Sequence, residues 1–171
     1  MMENMMITLP LLILFLPLVS FIILIFFGKK LPRQGDWIAV GSIVTTFFFA
    51  VYLFIQMILA YDPGFSHGVS FSWIDLDAFK IELGILVDNL TIIMLLIVTL
   101  VSSCTHIFSL EYMKGDIRYS RYYAYLGLFT FSMNGIVLAD NLISMYMSWE
   151  LVGVSSYLLI GHWFEKDSAA N

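Results

Sequence analysis

DNLISMYMSWELVGVSSYLLIG, from Asp140 to Gly161, decides how the rest of the chain is read. A helix of about 20 apolar residues crosses a bilayer, and this run is long enough. It carries one carboxylate near its middle, Glu150. A charged group at the bilayer centre costs about 2.5–3.5 kcal/mol on insertion scales. A chain that keeps such a residue is expected to use it, and the other segments read as walls around it.

Composition supports a membrane protein. Of the 171 residues, 60% are hydrophobic and 12% charged, and the mean hydropathy is +0.90. A soluble domain carries about 25% charged residues. The net charge of −5 argues against a nucleic-acid partner. The single cysteine, Cys104, offers neither a disulfide framework nor a CxxC site, so zinc and iron–sulfur readings lack ligands. Inside an apolar run, Cys104 is expected to be a small buried hydrophobe. The N-terminal apolar run follows Glu3 rather than a basic region and is too long for a signal sequence, so it reads as a retained helix.

Five membrane helices are predicted, at 7–27, 37–60, 85–110, 122–139 and 141–162. Pro17 is expected to kink the first, and GKKLPRQGD (28–36) to end it in a basic loop. Between helices two and three, apolar residues alternate on either side of Asp77-Ala78. That period of two predicts a short β-hairpin near 69–84 on the membrane surface. Asp88 is expected in the first turn of the third helix, and Asp140-Asn141 to cap the fifth. Gly135 and Ala139, four apart, permit close helix contact. Lys29, Lys30, Arg33, Lys114, Arg118, Arg121 and Lys166 fall on one side of the membrane and Lys80 on the other. By the positive-inside rule the N-terminus is outside and the tail is cytoplasmic, or matrix-facing in an organelle.

Glu150 leads the chemistry. Tyr146, Met147, Gly153 and Val154 lie one turn away on its face, and Tyr157 two turns on. Gly153 leaves room for a neighbouring helix, a water or a partner side chain. Low dielectric favours a neutral carboxyl and a nearby cation favours the charged form, so such a site can exchange a proton. No Lys or Arg lies within any predicted span, so a cation must come from elsewhere. The competing reading is a packing bond to a carbonyl or serine. His106 is the second candidate, a proton-passing ring about a turn from the cytoplasmic end of its helix, or else an interfacial ring bonded to nearby hydroxyls. His162 falls on the same membrane side, nearer the surface; two histidines on different helices can hold a haem iron, but nothing else in the sequence marks a haem pocket. His67 falls on the outer segment. No phosphate loop, nucleophile elbow or HExxH is present.

SRYYAYLGLFTFSM (120–133), LADN (138–141) and WELVGVSSYLLIG (149–161) resemble the subunit L/subunit 5 family of proton-translocating NADH–quinone oxidoreductase, respiratory complex I. FLPL (15–18) and VDNL (87–90) resemble its N-terminal region. The resemblance implies an all-α membrane protein, the N-terminal part of an antiporter-like fold built from inverted repeats. It divides the chain into an N-terminal three-helix region, 1–110, and the start of the antiporter-like domain, 111–171. It assigns Glu150 to the family's fifth-helix glutamate, which pairs with a lysine on the seventh helix. His106 matches a third-helix histidine, and Asp140 matches the Ala-Asp-Asn turn, which brings no catalytic role; Asp140, and from helix spacing Gly153 and Tyr157, are candidate supporting residues. It implies no cofactor in this chain, with NADH, FMN, iron–sulfur clusters and quinone in partner subunits of the complex. The membrane would be the bacterial inner membrane or the mitochondrial inner membrane. The chain is expected to be an N-terminal fragment, inactive alone because the lysine lies beyond it. The alternatives are the large subunit of a multisubunit Na+/H+ antiporter, which shares the Trp-Glu feature, and a purely structural scaffold.

Overall fold

The structure, a computed structural model, describes residues 2–76 and 79–163. The hairpin turn expected at Asp77-Ala78 and the tail with Lys166 lie outside the described residues. Five helices form the bundle: α1 (Met2–Phe27), α2 (Asp36–Leu59), α3 (Asn89–Tyr112), α4 (Tyr119–Leu138) and α5 (Leu142–Ile160). Strands β1 (Ser66–Leu76) and β2 (Phe79–Asp88) pair antiparallel between α2 and α3.

The hairpin is longer than its alternation predicts. Ile85 to Asp88, expected to begin the third helix, continue β2 and pair with Val69 back to Ser66. A short apolar run has no periodicity that separates strand from helix. Asp88 sets the boundary: it is the N-cap of α3, extended at φ −123°, and its Oδ1 accepts from the Thr91 N–H at 2.7 Å. The ladder shifts register between Ser72 and Ile74, leaving Trp73 as the extra residue of a bulge.

The α1–α2 connection consists of two 3₁₀ turns, Gly28–Lys30 and Pro32–Gly35. Arg33, Gln34 and Gly35 all take positive φ, at 53°, 55° and 80°. Only glycine does so without strain, so surrounding contacts must hold the first two. The Ser120 N–H donates to Gln34 Oε1 at 3.3 Å, and Ser120 Oγ donates to the Leu24 carbonyl at 3.2 Å. Ser120 also packs directly onto Gly28, where a Cβ would collide with its hydroxyl. These contacts gather Lys29, Lys30, Arg33, Lys114, Arg118 and Arg121 at one end of the bundle. The hairpin occupies the other end, joined to α4 by the Ile85–Ala139 bridge.

By length and composition, four helical stretches qualify as membrane spans among the described residues: Met5–Lys30, Pro32–Leu59, Asn89–Tyr112 and Leu142–Trp163. The fifth helix, α4, is about 30 Å long at 1.5 Å per residue for its 20 residues. Its hydropathy is lower because tyrosines and short polar side chains face inward. It packs against α1, α3 and α5, and its polar groups bond within the bundle. Thr130 Oγ1 donates to the Leu126 carbonyl at 3.0 Å, and Asn134 Nδ2 donates to the Ile13 carbonyl at 3.2 Å.

Two apolar clusters hold the bundle. One, near the hairpin, contains Ile13, Leu53, Val87, Ile92, Leu95 and Leu138. The other, near the basic end, contains Leu24, Ala39, Met113, Tyr119, Tyr123 and Ala124. Buried Thr46, Thr99, Ser103, His106 and Thr130 come from the middle stretches of α2, α3 and α4. Cys104, expected to be buried, is exposed. Ser103 and His106 occupy the inward face of α3, which turns Cys104 outward.

Candidate functional site: a carboxylate on an uncovered helix

Helix α5 is launched by its cap. Asn141 Oδ1 accepts from the Ser144 N–H at 2.9 Å and the Ser144 hydroxyl at 3.1 Å. Its amide donates to the Glu82 carbonyl at 2.9 Å, which fastens the helix start to β2. Asp140 does not cap the helix. It accepts from Asn141 Nδ2 at 2.7 Å and its other oxygen lies against Gly84, where any Cβ would clash. Gly135 admits Ser148 at the α4–α5 crossing, with a Cβ there only 2.8 Å from the Ser148 hydroxyl.

Glu150 stands midway along α5 on the face turned away from the bundle. Tyr146, Val154, Tyr157 and Ile160 are 64%, 51%, 76% and 87% exposed. Nothing lies within 4 Å of a Cβ placed on Gly153, so the room it leaves is not used by any described helix. Ser155 is the only buried residue of α5. Tyr146 sits one turn back on the same face of α5. The described ion pairs, Arg33–Asp36, Lys114–Glu111 and His162–Asp116, do not include it.

His106 is elsewhere. It is fully buried on α3, and α4 packs against both α3 and α5. Its Nδ1 lies 2.8 Å from the Ser102 carbonyl. A carbonyl only accepts, so Nδ1 carries the proton and Nε2 presents a lone pair. Nε2 is buried and has no hydrogen-bond partner. His106 is therefore enclosed within the bundle, with the Ser102 hydroxyl 3.4 Å from Nδ1. His162 serves a different partner, with Nε2 3.3 Å from Asp116 Oδ1, so the two rings do not share a ligand position. His67 stacks edge-on against Phe65 at 5.0 Å.

Asp116, in the α3–α4 loop, had no distinguishing sequence signal. Its Oδ1 also accepts from the Arg118 N–H at 2.7 Å, and its Oδ2 from Trp163 Nε1 at 2.9 Å. Partial burial pushes this carboxyl up. The bonds from Trp163, the Arg118 N–H and His162 outweigh that and hold it below the ordinary carboxylate range. Asp116 thereby fixes the far end of α5. Tyr157 lines a cleft of about 240 Å³ there with Arg118, Arg121, Tyr125 and His162.

The chain as a whole is similar to known proteins in sequence and in fold. Residues 73–123 match the family model of NADH-ubiquinone oxidoreductase (complex I) chain 5 N-terminus. Residues 139–171 match that of the NADH:quinone oxidoreductase/Mrp antiporter membrane region. NADH-quinone oxidoreductase subunit L of Rickettsia bellii is 38% identical over 166 residues, 95% of this chain and 25% of that protein. The chain belongs to the chain 5/subunit L family of NADH–quinone oxidoreductases. NADH-ubiquinone oxidoreductase chain 5 of Dictyostelium citrinum is 38% identical over 154 residues, 90% of this chain and 23% of that protein. The chain thus spans about a quarter of the length of these chain 5 and subunit L relatives. A solved archaeal respiratory membrane complex, the membrane-bound sulfane sulfur reductase, contains a chain of the same fold. It superposes with a TM-score of 0.74 at 15% identity, covering 94% of this chain and 31% of that one.

Proposed function

We propose that this chain supplies the first part of an antiporter-like proton channel in the membrane arm of an NADH–quinone oxidoreductase, with Glu150 as a proton-exchanging group. The observation that carries the reading is a mid-span carboxylate on an uncovered, otherwise apolar helix face, in a chain of this family. A carboxylate facing lipid is costly, so in the complete protein a further helix covers this face and brings a cation to Glu150. Redox chemistry belongs to other subunits, which would hold the NADH, FMN, iron–sulfur and quinone sites. The basic end faces the cytoplasm or matrix, and the hairpin and N-terminus face outward.

Glu150→Gln keeps the shape of the side chain and removes its proton exchange. In the complete complex, in sealed vesicles, this substitution is expected to lower NADH-driven proton pumping while assembly is retained. Parental pumping would exclude the role. The second family model also covers Mrp antiporters, which supports a second reading as a cation/proton antiporter. Transport driven by an imposed pH gradient with no NADH present would favour that reading.

A further inference from the structure

Asp36 opens α2 and is only 3% exposed. Its Oδ2 accepts from Arg33 at 3.0 Å and from the Tyr119 hydroxyl at 3.1 Å. Its Oδ1 is buried and has no hydrogen-bond partner. Favourable interaction with the helix dipole explains a carboxylate in a first turn. It does not explain a buried one with an oxygen left unsatisfied, which is costly. Asp36 borders a cleft of about 490 Å³ at the basic end, together with Arg33, Glu111, Lys114, Asp116 and Tyr119.

Polar groups continue inward from Tyr119. Tyr119 and Tyr123 stand one turn apart on α4, and their rings meet edge-on at 5.0 Å. The Tyr123 hydroxyl donates to the His106 carbonyl at 3.1 Å, and the two rings lie 6.0 Å apart. Ser102 Oγ lies 3.4 Å from His106 Nδ1 and 2.5 Å from Thr130 Oγ1. Thr130 lies eight residues before the end of α4 at Leu138, and Glu150 eight after the start of α5 at Leu142. At 1.5 Å per residue both are about 12 Å from the hairpin end. The file therefore reaches the depth of Glu150 on the adjacent helix.

We propose that Asp36, Tyr119, Tyr123, His106, Ser102 and Thr130 form a proton-conducting file between the basic end of the bundle and the depth of Glu150, with Asp36 as the surface-side exchanger. The proposal rests on the transport reading of Glu150. A proton from water in the cleft binds Asp36, which passes a proton to the Tyr119 oxygen. Tyr119 turns its own hydroxyl proton from Asp36 to the Tyr123 oxygen, and Tyr123 turns its proton from the His106 carbonyl toward His106 Nε2. One bond to hydrogen forms for each that breaks, Asp36 returns to carboxylate, and the imidazole carries the charge. His106 then gives up its Nδ1 proton toward Ser102 and Thr130.

The test uses the complete complex in sealed vesicles with Glu150→Gln as the benchmark. Tyr119→Phe and Tyr123→Phe keep the rings and delete the hydroxyls. Each is expected to lower NADH-driven pumping to the Glu150→Gln level while assembly holds. Asp36→Asn is expected to do the same, Asp36→Glu to restore pumping, and added formate, a small proton carrier, to restore it partly in Asp36→Asn. If both Phe variants pump at the parental rate while Glu150→Gln does not, the file is wrong and the transport reading stands. If Glu150→Gln itself pumps normally, the transport reading fails and the file falls with it. If Asp36 variants fail to assemble, the Phe variants decide.

Discussion

Glu150 and Asp116 are both carboxylates at the edge of this bundle, and their surroundings are opposite. Asp116 takes hydrogen bonds from Trp163, Arg118 and His162, whereas Glu150 stands exposed on the outer face of α5. The Asp116 carboxyl is held below its ordinary range, so its contribution is present above the unfolded value and vanishes as pH falls through the folded one. Docking of the α5 end onto the α3–α4 loop is therefore expected to be constant around neutral pH and to loosen only in acid. A variant retaining Trp163 as its sole tryptophan reports this by fluorescence, and Asp116→Asn should abolish the acid transition. Glu150 was legible from sequence because a carboxylate inside an apolar run needs only local context to stand out. Asp36 and Tyr119 were not: 83 residues separate them, and each looks ordinary in its own neighbourhood.

At the scale of elements, the informative errors lie at one boundary and on one face. The third helix begins at Asn89 rather than Ile85 because strand pairing and the Asp88 cap override an ambiguous apolar run. Cys104 faces out because the polar residues of α3, not its hydrophobes alone, define the inner side. The polar makeup of α4 has the same origin: it is the helix that α1, α3 and α5 pack around, so its hydroxyls and amide find partners inside. Helix α5 is the reverse, apolar and nearly uncovered. A Cβ on Gly153 has nothing within 4 Å among the described residues, so Gly153→Leu starts into open space. It is expected to leave the packing described here unchanged, yet to reduce assembly of the complete protein where another helix must approach that face. Native gel analysis of the assembled complex, beside a folding assay of the chain, separates the two effects.

Across the whole molecule, charge and topology agree. The basic residues of the 28–36 loop and of the α3–α4 region collect at one end through bonds from Ser120 and Tyr119 to Gln34 and Asp36, and the hairpin sits at the other. The number and order of helices, the hairpin and the family were all legible, because hydropathy, turn residues and local motifs carry them. The polar file was not, because it is assembled from three helices by packing. A cysteine placed at Ser66 in the hairpin is expected to react with an impermeant thiol reagent from outside, and one at Lys30 only from the cytoplasmic or matrix side; the reverse pattern would invert the orientation. The central claim, that Glu150 gains and loses a proton during turnover, is tested most directly by infrared difference spectroscopy of the complete complex. The account predicts a protonated-carboxyl band that appears or disappears with NADH oxidation and is absent in Glu150→Gln; an identical carboxyl difference spectrum in that variant would contradict it.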